Sequence, residues 1–375
     1  MKFNIASEVL SKQLTALNSV IVNNPVIPIL ENFLFEIGGG QLRVTASDLQ
    51  TSIVAELPIK TEAAGQIAIP ARLLLDTLRS LPAQPLHFTI DENAYSIQIQ
   101  SSHGEYNLAG ENAADFPQVA DVQEEMTLSM TGAVLKKAIQ QTLVAVSHDE
   151  LRPAMTGVYI DCSTSGSTFV ATDGHRLVRH IRKDLQVPTQ RTLVVPRKTL
   201  VLLNGLLAND QEPVKLTVGT ANLHFRLKHI SVISRLIEER YPDYENVIPQ
   251  DNPHVLTVNR ASLLSSLKRV AIYASRTTNH VKLGVVDNKL TLSAEDVDFF
   301  NKAHEELRCQ YEATSLEIVF NAKMFIELLS SLSAQEVVIR FSDAHKAALI
   351  LPHEQMSAED TLLLIMPLVL QQMTP

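Results

Sequence analysis

The chain of 375 residues repeats one succession of strand-forming and helix-forming segments three times, and this repeat limits the folds that it can adopt. Apolar residues at helical spacing follow a short alternating segment at Leu10, and the same arrangement recurs at Leu135 and Leu263. These positions stand 125 and 128 residues apart. Three units of this size account for the whole chain.

A second helical segment repeats with the same period. It follows Pro70, Pro196 and Asn321, which are 126 and 125 residues apart, and the prolines are expected in the first helical turn. The six helices are predicted over residues 7–22, 71–81, 132–147, 197–208, 260–274 and 322–332. Alternating segments predict strands, for example over residues 2–5, 41–45, 96–100, 127–130, 214–218, 255–258 and 337–341.

The repeat predicts an α+β fold of three similar domains, each with two helices and antiparallel sheets of some eight short strands. Polar, turn-prone segments near residues 121–125 and 250–253 place the domains at 1–124, 125–252 and 253–375. A solenoid is the alternative, but solenoid repeats span about 20–50 residues, far fewer than these.

Composition is that of a soluble globular protein, with 45% hydrophobic residues and a net charge of -9. Two cysteines form no disulfide framework, the N-terminus lacks the apolar core of a signal peptide, and a cytoplasmic location is expected. The longest apolar segment, 362–370, is far shorter than the roughly 20 residues of a membrane helix.

Positive charge is concentrated on the predicted helices, which carry eleven Lys and Arg but three Asp and Glu. Arg72, Lys198 and Lys323 align in the first turn of the second helix of each unit, where a cation opposes the helix dipole. A bound polyanion would compensate for that cost. Since no base-reading motif is present, the pattern favours sequence-independent binding of duplex DNA through its phosphates.

Five short motifs in this order resemble the β sliding clamp family of bacterial DNA polymerase III, over essentially the whole chain. They are Ala-Thr-Asp-Gly-His-Arg-Leu at 171–177, Val-Val-Pro-Arg-Lys at 194–198, Glu-Arg-Tyr-Pro-Asp-Tyr at 239–244, Val-Ile-Pro at 247–249 and Met-Pro at 366–367.

The resemblance implies a head-to-tail homodimer, a ring of six domains whose twelve helices face duplex DNA. It implies a processivity factor with no catalytic site, no cofactor and no metal. Its partners would be the DNA polymerase III α subunit, the clamp loader δ subunit, and other polymerases and repair proteins with clamp-binding peptides. The predicted DNA contacts are Lys12, Arg72, Arg79, Lys136, Lys137, His148, Arg152, Arg197, Lys198, Lys268, Arg269 and Lys323.

Two protein-binding surfaces follow from the resemblance. A pocket for partner peptides would use Met155, Thr172, Gly174, His175, Arg176, Leu177, Pro242, Val247, Leu364, Ile365, Met366, Pro367 and Leu368. The subunit interface would use Tyr106, Ile272, Tyr273, Glu305 and Glu306.

The chain departs from the family pattern where some members carry a basic residue. Asn24 stands at a DNA-contacting loop position, Asn246 at the pocket and Val369 near the C-terminus. Gln371–Pro375 extends past the usual end.

Other function classes are less well supported by the residues. Asp173 and His175 could suggest acid–base chemistry and Cys162 a nucleophile, but no nucleophile elbow is present. No zinc-like Cys or His spacing and no P-loop occur. A scaffold that binds only proteins would explain the pocket but not the aligned cations.

Overall fold

The six helices begin at the residues that the sequence pattern predicts. The computed structural model describes residues 1–61, 63–207 and 211–368. Within them the α-helices are α1 (Ser7–Leu17), α2 (Ala71–Ser80), α3 (Gly132–Leu143), α4 (Arg197–Leu206), α5 (Arg260–Val270) and α6 (Ala322–Ser331).

All six helices end earlier than predicted, and α1, α3 and α5 do so by four or five residues, because apolar spacing reports burial and not the helical hydrogen-bond pattern. After α1 the amide of Val20 bonds to the carbonyl of Leu17 at 3.2 Å, three residues back, although Val20 is fully buried. After α3 the amide of Ala145 donates to the carbonyl of Thr142 at 3.0 Å, again three residues back. Tight turns of this kind bury apolar side chains as a helix would.

The prolines also differ from expectation. Pro70 and Pro196 are the last residues of strands, so each precedes its helix instead of occupying the first turn. Asn259 and Asn321 precede α5 and α6, and their side chains accept hydrogen bonds from the amides of Ser262 and Met324.

The described residues form short strands throughout. The strands of the first third are β1 (Lys2–Ala6), β2 (Asn32–Gly38), β3 (Gln41–Ser47), β4 (Thr51–Pro58), β5 (Lys60–Thr61), β6 (Gly65–Pro70), β7 (Pro85–Asp91), β8 (Ser96–Gln100) and β9 (Glu105–Ala109). Those of the second are β10 (Met126–Thr131), β11 (Gly157–Ser163), β12 (Gly166–Thr172), β13 (Arg176–Arg182), β14 (Arg191–Pro196), β15 (Pro213–Val218), β16 (Asn222–Arg226) and β17 (Ile230–Arg235). Those of the third are β18 (His254–Asn259), β19 (His280–Val286), β20 (Lys289–Asp296), β21 (Asn301–Arg308), β22 (Leu316–Asn321), β23 (Glu336–Phe341), β24 (Ala348–Pro352) and β25 (Glu359–Ile365).

The first of two compact units comprises residues 1–136 and 198–236. It contains a five-stranded antiparallel sheet, β5-β1-β7-β8-β9, and an eight-stranded sheet, β10-β15-β16-β17-β4-β3-β2-β6. The eight-stranded sheet joins the first and second thirds of the chain, because β17 pairs antiparallel with β4, with Val232 opposite Ile53.

The second unit comprises residues 137–197 and 237–375, and it is built on the same plan. Its eight-stranded sheet, β14-β11-β12-β13-β25-β24-β23-β18, joins the second and third thirds through β13 and β25, with Leu177 opposite Leu364. Its four-stranded sheet is β21-β20-β19-β22. In the two smaller sheets, β9 and β21 are therefore edge strands with one side unpaired in the described chain.

Candidate functional sites

Most of the predicted DNA contacts are exposed to solvent. The partly buried ones are Lys136, Lys137 and Arg197. The exposed ones are Lys12, Arg72, Arg79, His148, Arg152, Lys198, Lys268, Arg269 and Lys323. Solvated cations on helices can meet phosphates with no change in the fold.

Several of these cations have carboxylate partners within their own unit. Lys198 pairs with Asp48, so the expectation that the aligned first-turn cations lack a partner is wrong for Lys198. Arg72 and Lys323 make no ion pair with any described residue. The Nε atom of Arg152 lies 2.8 Å from Oδ2 of Asp149.

The two adjacent lysines of α3 are held by internal contacts, although the sequence predicts both at DNA. Lys136 Nζ donates to the carbonyl of Leu207 at 2.7 Å. Lys137 Nζ lies 2.6 Å from Oε2 of Glu359, whose side chain is 9% exposed. Each ammonium group already has one internal acceptor and is partly buried, so these lysines are poorer phosphate ligands than the exposed cations.

A tight turn between β12 and β13 carries the central part of the predicted peptide pocket. Asp173 Oδ1 accepts from the amides of His175 and Arg176 at 2.9 and 3.0 Å, and Asp173 Oδ2 accepts from Arg176 Nε at 3.1 Å. The amide of Gly174 donates to Thr172 Oγ1 at 3.1 Å. Asp173 and His175 are therefore parts of a hydrogen-bonded turn. Their spacing has this structural explanation and does not require acid–base chemistry.

Gly174 is the position in this turn that requires glycine. Its φ of +88° lies in the left-handed region, and a Cβ there would lie 3.3 Å from Arg152 Nη1 and 4.0 Å from Met155 Cε. The turn therefore lies close to the buried Met155, so two predicted pocket residues, Gly174 and Met155, come together here.

The end of β25 lies against the same turn. The amide of Met366 donates to the carbonyl of His175 at 2.8 Å, which continues the pairing of Arg176 with Ile365. Leu364 and Ile365 are buried, whereas Met366 is 40% exposed. The main chain continues to Leu368, whose amide donates a hydrogen bond to the carbonyl of Val319 at 2.8 Å. Val369 and residues 371–375 lie outside the described residues.

A cluster of buried apolar residues lies beneath this surface. Leu177 and Leu364 belong to it, together with Ala154, Val170, Val194, Tyr241, Ile248, Ala347, Leu349 and Leu362. Val247 is 54% exposed and Pro242 is exposed, in the segment that carries Tyr241 and Ile248. The surface therefore has a rigid apolar base with apolar side chains still open to solvent, as a peptide site requires.

Three tyrosines, none of which the sequence predicts as a pocket residue, support this segment. The rings of Tyr159 and Tyr241 stack with centroids 5.0 Å apart, and Tyr244 is tilted 6.1 Å from Tyr159. Burial raises the pKa of Tyr241, and burial with the nearby Glu245 carboxylate raises the pKa of Tyr244 to about 12. The rings stay neutral and hold the chain between Ile237 and Ile248 against β11. The closeness of Tyr241 and Tyr244 in the 239–244 motif is the one sequence signal for this aromatic contact, and no such signal marks Tyr159.

The predicted interface residues lie on the edge strands β9 and β21 or in a turn that contacts β21. Tyr106 is on β9, and Ile272 and Tyr273 form the turn that follows α5, where they are 76% and 43% exposed. Glu305 and Glu306 are on β21, but each already has a cation: Arg269 Nη2 lies 2.6 Å from Glu305 and Lys289 Nζ lies 2.6 Å from Glu306.

Comparison with known proteins covers the chain from residue 1 to residue 368. Three family models match in order: the DNA polymerase III beta subunit N-terminal domain at residues 1–120, its central domain at 129–243 and its C-terminal domain at 245–368. The chain belongs to the DNA polymerase III beta subunit family.

Relatives and solved structures agree with this family along their full lengths. The beta sliding clamp of Vibrio cholerae is 30% identical over 372 residues, which are 98% of this chain and 100% of the relative. The DNA polymerase sliding clamp of Bacillus subtilis has a TM-score of 0.94 at 28% identity, covering 99% of this chain and 100% of that chain. A sliding clamp of Pseudomonas aeruginosa bound to griselimycin has a TM-score of 0.93 at 26% identity, with the same coverage.

Family membership confirms the resemblance and the α+β fold of three similar domains. Members are non-catalytic processivity factors, so membership also confirms that the chain is not an enzyme. Among the described residues, no group of three or more His, Cys, Asp or Glu could hold a metal ion. None of the helices described is both long and apolar enough to cross a membrane.

A buried charge cluster in the second unit was not anticipated from the family pattern. Glu359 on β25 accepts from Arg182 Nη1 at 2.7 Å and from Lys137 at 2.6 Å, and both Glu359 and Arg182 are 9% exposed. Next to it, the imidazole of His180 lies 2.8 Å from Thr361 Oγ1. The cluster links α3 to β13 and β25, and these two strands carry pocket residues.

The buried histidine predicts a loss of stability in mild acid. Burial lowers the pKa of His180 from 6.5 to about 4, so folded His180 stays neutral while unfolded His180 gains a proton below pH 6.5. Its contribution is present above pH 6.5 and is lost as the pH falls towards 4, at an eventual cost of about 3 kcal/mol.

We expect the free energy of unfolding, measured in urea between pH 7 and pH 4, to fall less steeply in a His180→Gln variant than in the wild type. The exposed His345 supplies the control, since His345→Gln should leave the slope unchanged. Parallel pH profiles for wild type and His180→Gln would contradict the assignment.

Proposed function

We propose that the chain is a DNA sliding clamp whose two copies join head to tail into a ring around duplex DNA. Each copy contributes three domains, at residues 1–124, 125–252 and 253–375. The ring holds DNA without sequence preference and keeps bound partners near it. Tethering replaces repeated bimolecular binding by an intramolecular encounter at high effective concentration.

The observation that carries this function is the match of three beta-subunit domain models, in order, along the chain. The exposed cations of the helices support it, because Arg72, Arg79, Lys268 and Lys323 have no carboxylate partner among the described residues and remain available to phosphates. Arg269 is the weaker candidate of α5, since it pairs with Glu305.

The pocket surface is proposed to bind partner peptides. The apolar side chains of Val247 and Met366 stand open above a buried cluster, and the turn at Gly174 fixes the neighbouring backbone. The proposed partners are the polymerase III α subunit, the clamp loader δ subunit, and other polymerases and repair proteins with clamp-binding peptides. Asn246 bonds to Asp243 at 2.7 Å, so this part of the rim is less basic than in relatives with a basic residue there.

A topological experiment tests the ring directly. The protein, loaded on nicked circular DNA by a clamp loader, is expected to stay with the circle through gel filtration at moderate salt and to be released when a restriction enzyme linearises the DNA. Release should depend on free ends, so blocking both ends with bulky protein should restore retention. Equal retention on circular and open linear DNA would contradict encirclement.

The pocket has a separate test that leaves the core intact. Replacing the exposed Val247 and Met366 together by Ser should weaken binding of a polymerase-derived clamp-binding peptide at least tenfold, since each removes roughly 1 kcal/mol or more of apolar contact. Fluorescence anisotropy of the labelled peptide measures this change.

The matched control replaces Val286 and Met356, which are 44% and 69% exposed and lie elsewhere, by Ser. The control should bind the peptide as the wild type does. An equal loss in both variants, or in neither, would place the peptide at another surface.

A further inference from the structure

An acidic groove of about 440 Å³ adjoins the proposed peptide pocket, and all of its lining residues belong to the second unit. The described lining residues include one cation, Arg240, and five carboxylates, those of Asp161, Glu238, Glu239, Asp243 and Glu245. Five negative charges and one positive charge leave the groove with a net charge of -4. None of these six side chains makes an ion pair with another described residue. The groove therefore attracts a cation from outside the described chain.

Tyrosine rings form part of the wall of this groove. Tyr159 and Asp161 are two residues apart on β11, so their side chains project from the same face of the strand. The ring centroids of Tyr241 and Tyr244 lie 5.0 and 6.1 Å from that of Tyr159. Burial, and next the Asp161 carboxylate, raises the pKa of Tyr159, which keeps its ring neutral. Neutral aromatic rings beside carboxylates are surroundings in which proteins bind a guanidinium group.

One polar group of the groove is buried and lacks a partner. Tyr241 lines the groove and is 8% exposed, and its hydroxyl oxygen has no hydrogen-bond partner in the described chain. Such a hydroxyl has lost its hydrogen bonds to water without replacing them, which destabilises the unliganded protein. A ligand that carries N–H donors would supply the missing hydrogen bond. The hydroxyl thus indicates a ligand independently of the charge.

The groove is continuous with the proposed peptide pocket. Pro242 lines the groove and is also a predicted pocket residue, and Val247 follows the groove residue Glu245 by two positions. Tyr241 belongs to the buried cluster beneath the pocket. A peptide that covers Val247 therefore has one end close to the acidic groove.

Asn246 keeps this side of the pocket acidic. It stands where some family members carry a basic residue, and its side-chain amide donates to Asp243 at 2.7 Å. An amide satisfies that carboxylate with a hydrogen bond but leaves its charge uncompensated. The charge that some relatives supply themselves must in this chain come from the ligand.

We propose that the groove binds an arginine side chain that flanks the clamp-binding segment of a partner protein. This inference rests on the proposed peptide pocket and names the chemistry of the partners that the pocket prefers. A planar guanidinium can stack on a tyrosine ring while its N–H groups donate in pairs to carboxylates, whereas the ammonium of lysine acts as a point charge. Flanking Asp or Glu would be repelled.

Fluorescence anisotropy of labelled peptides tests this preference. A polymerase-derived clamp-binding peptide is extended by two Arg, two Lys, two Gln or two Glu, at each end in turn. At the end that reaches the groove, the Arg peptide should bind at least about threefold tighter than the Gln peptide, with Lys between them and Glu weakest. The differences should shrink as the salt concentration rises, because the groove is open to solvent.

A groove variant separates this contact from the overall negative charge of the protein. Replacing Glu238, Glu239 and Glu245 together by Gln should bring the affinities of the Arg and Gln peptides close to each other. The matched control replaces three exposed glutamates elsewhere that also make no ion pair among the described residues, and it should keep the wild-type ratio. These are Glu56, Glu92 and Glu312.

The outcomes distinguish the groove from the pocket. No gain from Arg at either end, or the same gain in the wild type and the groove variant, would overturn the groove while binding of the Gln peptide leaves the pocket standing. Equal affinities of the Arg and Lys peptides would refute the contact of arginine with the tyrosine rings. A wild type that binds none of the peptides would instead refute the proposed pocket itself.

Discussion

Reversing Arg72, Lys268 and Lys323 to Glu is expected to shorten the lifetime of the protein on nicked circular DNA at least tenfold. These cations lie on three different helices, are exposed and make no ion pair among the described residues, so their loss acts on the bound phosphates and not on the fold. Each lost phosphate contact should also reduce the dependence of log K on log salt by about one unit. Retention measured from 50 to 200 mM salt gives both quantities.

Lys198 is left out of this variant for a structural reason. Its ammonium pairs with Asp48, so Lys198→Glu would bring two carboxylates together and change the local fold as well as the charge. The matched control reverses Lys2, Lys60 and Arg235, which are exposed, lie outside the helices and likewise make no ion pair among the described residues. Equal lifetimes for the two triple variants would mean that total charge, and not the helix surface, governs retention.

Helix starts were predictable because they depend on local signals. The strand preceding each helix, and a residue such as Asn259 or Asn321 with a capping side chain, mark the start within a few residues. Helix ends were less predictable. Val20 and Val146 keep the apolar spacing after the last helical turn, since the following tight turn buries them too.

The pairing of sheets across successive thirds of the chain could not be predicted from the repeat. Nothing local to β4 specifies β17 as its neighbour, because Ile53 and Val232 would be equally well buried against another strand. The same holds for Leu177 and Leu364 in the second unit. The threefold repeat is therefore a property of the sequence, whereas the division into two compact units is a property of the contacts between residues.

The pocket was predictable where one motif builds it. Asp173, Gly174 and Arg176 are close in sequence, and their hydrogen bonds close a single turn. The ion pair between Lys137 and Glu359 was not predictable, because the two residues are 222 positions apart in the sequence. A count of helical cations includes Lys137 among the free ones, although a buried carboxylate holds it.

Glu359→Ala is expected to lower the free energy of unfolding by about 3–5 kcal/mol. Glu359 is the shared carboxylate of Arg182 and Lys137, and the side chains of Glu359 and Arg182 are each 9% exposed. Without the Glu359 carboxylate, the buried guanidinium of Arg182 keeps only the carboxylate of Asp184 as an ion-pair partner. Removing one partner of a buried ion pair destabilises a protein by far more than the intact pair stabilises it, because the other charge is left buried without compensation. Urea unfolding at pH 7 measures the change.

The chain provides an exposed pair of the same residue types as a control. Glu317 is 69% exposed and lies 3.3 Å from Lys282, so Glu317→Ala should cost at most about 1 kcal/mol. A loss for Glu359→Ala as small as that for Glu317→Ala would show that water reaches the cluster. Because β25 carries both Glu359 and the pocket residues Leu364 and Ile365, a large loss should also weaken peptide binding. Glu359→Gln keeps a neutral hydrogen-bonding side chain at this position and should therefore lose less of both than Glu359→Ala.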